Sequence, residues 1–278
     1  MYCDYWNLNR LPFESDGDLD FFVAVPEAEA ALLKLQYVHE SNKAGGVLVG
    51  ESGSGKSYLV RQFASDVRQE DGDDVRPIVR VSYPRLKPEE LVAQLAVRLG
   101  ADSATTDSAS VGLDRLVDAF AEQVHAAGSV DRSPVLILDD AHLIDDPNVW
   151  RTIRMLMNIR EEDGGQFSLV VLGQNELLGR LQEHPDLHGR LSVQAKLPAL
   201  SESSLRVYLE RRMEQAGGTS PFRRDAVADL HQMSRGLPRR VNELADLALL
   251  VGVADQRTTI AAADIRTAES EMHCVSAT

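Results

Sequence analysis

At 278 residues the chain suits one large α/β domain, or a core with a smaller second domain. Hydrophobic residues make up 44% and charged residues 26%, which supplies a packed core and excludes a disordered polyelectrolyte. A formal net charge of −14 argues against a general nucleic-acid binder, because phosphate backbones are gripped by Lys and Arg.

The opening stretch, Met1 to Arg10, is polar and aromatic and lacks the basic-then-apolar layout of a secretory signal. No run of about 18 apolar residues occurs, so no direct membrane insertion is expected. Cys3 and Cys274 sit at opposite ends of the chain. That excludes a disulfide framework and fits a reducing, cytoplasmic compartment best.

From residue 45 to about 200, short apolar runs alternate with helical patterns. Strands are expected at 46–50 (GVLVG), 77–82 (PIVRVS), 134–139 (PVLILD), 168–173 (SLVVLG) and 192–197 (SVQAKL). Helices are expected at 57–70, 88–100, 112–127 and 147–160, with 101–112 (ADSATTDSASVG) a surface loop. The runs lack clean period-2 alternation, as parallel strands covered on both faces do. His184-Pro185-Asp186 reads as a turn.

After Pro198 the strands stop. Ser201 is a candidate N-cap, and Leu205, Leu209 and Met213 recur at helical spacing. Gly217 and Gly218 break the chain, and helices are expected at 223–234, 238–252 and 262–269. The division is therefore an α/β parallel-sheet core at 1–199, a helical lid at 200–270 and a tail at 271–278. Residues 201–240 hold eight Arg against five Asp or Glu, a basic segment on an acidic chain that can present an anion site.

Gly50-Glu51-Ser52-Gly53-Ser54-Gly55-Lys56-Ser57 matches GxxxxGK(S/T) in full, with an apolar strand leading in and the helix SYLVRQFASDV, whose Tyr58 is also expected at the nucleotide, leading out. Glycines let such a loop curl until successive N–H groups surround an anion, and the helix dipole adds to the attraction. Lys56 would reach the β- and γ-phosphates and Ser57 would offer its hydroxyl to Mg²⁺. ATP and Mg²⁺ are the expected ligands.

Val135-Leu136-Ile137-Leu138-Asp139-Asp140 is an apolar strand ending in two carboxylates. Asp139 is the expected Mg²⁺ partner, and Asp140 is placed to orient or deprotonate an attacking water. Asp is one methylene shorter than the commoner Glu at the second position, which suits a slower enzyme. Gln174, at the end of the fourth strand, can touch the γ-phosphate or the water, with Asn175 the second choice. Arg190, before the fifth strand, can stabilise transition-state charge in a neighbouring subunit, with Arg180 the alternative and a structural ion pair to Asp186 the competing role. His142 is either a relay from Asp140 or a loop-packing residue. In Gly236-Leu237-Pro238-Arg239-Arg240, Pro238 suits a first helical turn and Arg239 can point back at phosphates.

With these residues in place, the chain resembles the general secretion pathway A-type (ExeA-like) AAA+ ATPases. The resemblance runs through YWNLNRLPFESDGDLDFF, GESGSGKS, LILDDAH, VLGQNEL, HGRL and SRGLPRRVNELADLALL, nearly the whole chain. It implies a P-loop AAA+ core with a helical lid. Together with the motifs, ATP hydrolysis in a homo-oligomer working on a protein partner is expected. The alternatives are a DNA-associated transposition-type ATPase, which the acidic charge disfavours, and a nucleotide-gated scaffold with negligible hydrolysis. The resemblance also implies that Pro12-Phe13 line the adenine site, Gln174 is sensor 1, Arg190 the finger and Arg239 sensor 2. Secretion members carry a membrane segment and a cell-wall-binding region beyond the ATPase module. This sequence shows neither, so an envelope role is not expected to carry over directly.

Overall fold

The computed structural model describes residues 2–14, 17–71, 76–82, 86–104, 106–128, 133–162 and 165–276. In chain order the elements are α1 (Pro26–Glu40), β1 (Gly45–Val49), α2 (Lys56–Asp71), β2 (Ile78–Ser82), α3 (Pro88–Leu99), α4 (Leu113–Gly128), β3 (Val135–Asp139), α5 (Pro147–Glu162) and β4 (Ser168–Gly173). There follow α6 (Glu176–Gln182), α7 (Pro185–Arg190), β5 (Val193–Lys196), α8 (Glu202–Gln215), α9 (Arg224–Ser234), α10 (Pro238–Ala254) and α11 (Ala262–Ser276).

The residues form two compact units. One comprises residues 30–50 and 60–196, and its centre is a five-stranded sheet in the order β2-β3-β4-β1-β5. Every strand pair is parallel. Val47, Val49, Leu136, Leu138, Leu169 and Val171 pack with α3, α4 and α5 residues such as Leu91, Phe120 and Ile153 in one core. The alternate residues Leu48, Ile137, Val170 and Leu172 are buried as well. Both faces are therefore covered, which is why the strand sequences read as continuous apolar runs.

Three features depart from the sequence expectations. Helix α1 was not anticipated, although Pro26 at its start, Glu27 and Glu29 in its first turn and an Ala/Leu-rich body are ordinary helix signals. Helix α6 occupies a segment for which no element was expected. His184-Pro185-Asp186 is not a free turn but the start of α7, with Pro185 in the first turn, where its missing N–H leaves no helical bond unmade. The stack of His184 on Trp150 of α5, at 5.6 Å, fixes this corner.

The other unit comprises residues 1–29, 51–59 and 197–278. Ser201 caps α8 by accepting from the Ser204 N–H at 3.2 Å, and Leu205, Leu209 and Met213 are buried, as their spacing predicts. Arg212, on the same helix, is buried too. Its guanidinium donates to the carbonyls of Pro12, Phe21 and Glu14 at 2.6, 3.2 and 3.0 Å and lies over the Phe21 ring. Trp6 Nε1 donates to Leu249 O at 3.1 Å, so the aromatic opening segment is fastened to α8 and α10.

Candidate functional site

The phosphate loop follows β1 and opens α2. Gly53 and Gly55 take φ of +79° and +95°, a region closed to most side chains. The loop is pinned by Ser54 N to Glu51 O at 3.2 Å and by Tyr58 N and Leu59 N to Gly55 O at 3.0 and 2.9 Å. Lys56 is buried, and its ammonium donates to Glu51 O at 2.9 Å. Ser54 is also buried, and its hydroxyl has no hydrogen-bond partner among the described residues. At Gly55 a Cβ would meet nothing within 4 Å. A buried cation, an orphaned hydroxyl and open space around a curled backbone suit an anion with several oxygen atoms.

In the same unit Arg239 lies against the loop. Its N–H donates to Gly53 O at 3.2 Å, and its Cβ sits 3.1 Å from where a Gly53 Cβ would be. Tyr58 packs on Phe22 at 5.9 Å and donates to Asp18 O. Pro12 and Phe13 are buried, with Phe13 edge-on to Phe222 at 6.0 Å. The structure thus brings Glu51 through Tyr58, Arg239, Pro12 and Phe13 into one unit.

In the sheet unit, strand register places the ends of β1, β3 and β4 on one edge: Val49 pairs with Gly173, Leu138 with Val171, and Asp139 with Ser82. The Gly50 N–H bonds Gly173 O at 3.3 Å. Asp139 is buried and its carboxylate is doubly engaged, by Arg80 of β2 and by the Asp140 N–H at 2.9 Å. Sequence reasoning missed Arg80; a charged residue inside the apolar run of β2 was the available signal.

Asp140 is half-exposed and has left-handed backbone angles, φ 56° and ψ 31°. Asp and Asn are enriched several-fold in that region, which favours Asp over Glu here. Residues Ala141–Leu143 then form a 3₁₀ turn that carries His142. His142 Nε2 lies 3.0 Å from Gln174 Nε2, and its Nδ1 lies 4.0 Å from Asp140 Oδ1. Asp139, Asp140 and Gln174 are therefore in one cluster, with His142 and Arg80 added. Asn175 is exposed at the start of α6.

Arg190, at the end of α7, donates to Asn158 Oδ1 at 2.7 Å and to Arg154 O at 3.4 Å, which joins it to α5. Asp186 pairs with Arg154 at 3.0 Å, the place the sequence reading offered to Arg190. Arg180 is bound to Ile144 O and Asp145, each at 2.7 Å.

The sequence model of the family described as "AAA domain" matches residues 39–181. The chain belongs to that AAA family. It is also 26% identical, over 98% of its length, to General secretion pathway protein A of Aeromonas hydrophila, as the motifs implied. It covers 48% of that protein, so it spans about half the length of this curated relative.

Among solved structures, the Cdc6p of Pyrobaculum aerophilum superposes with a TM-score of 0.72 at 17% identity, covering 94% of this chain and 70% of that one. The ORC1 protein of Aeropyrum pernix, solved in complex with DNA, gives 0.71 at 18%, covering 95% and 69%. The Holliday junction branch migration motor RuvB of Thermotoga maritima gives 0.60 at 17%, covering 93% and 72%. These likenesses establish the α/β P-loop AAA+ fold.

Proposed function

We propose that this AAA protein binds ATP with Mg²⁺ and hydrolyses it, coupling nucleotide state to assembly with a protein partner in the cytoplasm. The observation that carries the reading is the pinned phosphate loop, with Lys56 and the Ser54 hydroxyl, unbonded among the described residues, buried in it. Backbone N–H groups between Glu51 and Ser57, apart from that of Ser54, which is bonded to Glu51 O, would hold the phosphates and Lys56 would neutralise them. Arg239 would reach the same anion, and Pro12, Phe13 and Tyr58 would flank the base.

Ser57 and Asp139 are hard oxygen donors of the kind Mg²⁺ takes, and the metal would neutralise charge on the β- and γ-phosphates. Asp140 would take the proton of the attacking water, Gln174 would orient that water, and Arg190 would act from a neighbouring copy. Residues 1–199 would serve as the core and 200–270 as a lid.

A protein partner is favoured over DNA because the basic segment is largely neutralised within its own helices. Arg206, Arg211, Arg223 and Arg240 pair with Glu210, Glu214, Asp225 and Glu243 at 3.1–3.6 Å, and Arg212 is buried.

Titration with a fluorescent ATP analogue, beside a phosphate-release assay, tests the reading. Lys56→Ala should weaken binding at least about tenfold, through loss of the main cationic contact. Asp140→Asn should bind like wild type and turn over at background, since an amide accepts no proton from water. Unchanged affinity in Lys56→Ala would remove the phosphate-loop assignment. Tight binding without wild-type turnover would make the chain a nucleotide-gated scaffold.

A further inference from the structure

We propose that His142 is a positioning residue that ties Asp140 and Gln174 together through one neutral imidazole of fixed tautomer. The proposal rests on the hydrolytic reading of those two side chains, and it begins from hydrogen-bond inventory. The Gln174 Nε2 amide can only donate, and it lies 3.0 Å from His142 Nε2. With the amide in this orientation His142 Nε2 accepts, which leaves the ring proton on Nδ1. Nδ1 is buried and has no hydrogen-bond partner among the described residues. The carboxylate facing it is Asp140 Oδ1, at 4.0 Å.

The neighbouring backbone holds this arrangement in place. Leu143 N bonds Asp140 O at 2.9 Å, Ile144 N bonds Ala141 O at 3.1 Å, and Leu177 N bonds Gln174 O at 3.0 Å. The ring is nine-tenths buried while the Asp140 side chain is 47% exposed, so Asp140 is the free member of the three. An approach of its carboxylate by about an ångström would bring it within hydrogen-bond reach of Nδ1–H, a buried donor that is costly to leave unpaired. That contact would fix the orientation of the base. On the other side the imidazole holds the donor end of the Gln174 amide, leaving Oε1 as the acceptor that can face a water. One ring thereby sets the direction of both groups.

Two readouts test this. In ¹⁵N-detected NMR of the wild-type protein, the His142 ring, identified by its absence in His142→Asn, should show the Nδ1–H tautomer. Gln174→Ala should shift it toward Nε2–H. In turnover assays His142→Ala should lower kcat on the order of 10–100-fold, as loss of an outer partner of a site residue does, with ATP affinity within about twofold. The double variant His142→Ala/Gln174→Ala should lose less than the product of the two single losses, because the two side chains share one contact. An Nε2–H ring in the wild type, or fully additive losses, would overturn the proposal. Absence of turnover in the wild type would instead remove the hydrolytic reading, and the tautomer result would stand apart from it.

Discussion

The acidic end of β3 shows how much of a site depends on partners far away in sequence. Asp139 and Asp140 are neighbours, yet one is buried and paired with Arg80, and the other is half-exposed on a left-handed backbone. A buried carboxylate that loses its partner costs about 3–5 kcal/mol, and the Arg80 side chain is 26% exposed, which points to the lower end. Arg80→Leu should therefore destabilise the protein by about 3 kcal/mol in urea unfolding with EDTA present. Arg80→Leu/Asp139→Asn should recover most of that loss, because no charge is then left buried alone. Equal losses in the single and double variants would show that Arg80 acts through packing rather than through the ion pair.

At the scale of elements, the turn between α9 and α10 sets where Arg239 begins its helix. Arg235 and Gly236 both take positive φ, 53° and 69°, and Leu237 and Pro238 then open α10. The Gly236 carbonyl accepts from Leu200 N at 2.9 Å, and a Cβ at 236 would clash with the Leu200 carbonyl oxygen. Gly236→Ala should cost about 1–2 kcal/mol from the backbone conformation alone, with the clash added. Gly179→Ala is the control, since α6 leaves open space at that Cβ and the change should be neutral or stabilising by up to about 1 kcal/mol. Thermal melts with hydrogen exchange across 224–254 would separate the two. Similar melting for both variants would mean that this turn does not constrain α10.

At the scale of the whole molecule, the proposed assembly makes its own demand on Arg190. Its present bonds to Asn158 and Arg154 are polar and replaceable, so Arg190→Ala should leave folding and ATP affinity close to wild type. Turnover should fall by about 10³-fold if the charge serves only the transition state. Mixing Arg190→Ala with Asp140→Asn copies should restore part of the activity, because each supplies what the other lacks. No recovery in stable mixed oligomers would assign Arg190 to the α5 contact alone.

The amino-acid sequence by itself determined the parallel α/β sheet, the phosphate loop and the acidic strand end. Those features are local: a strand buried on both faces must be apolar throughout, and a loop that encircles an anion needs glycines at set positions. Helix caps such as Ser201 are local too, and were legible for that reason. Tertiary structure alone decided that Arg80 pairs with Asp139, that Arg212 holds the opening segment by its carbonyls, and that His142 lies between Asp140 and Gln174. Each of these joins residues brought together only when strands or helices pack side by side. A charged or polar side chain carries no mark in the sequence of the partner that satisfies it.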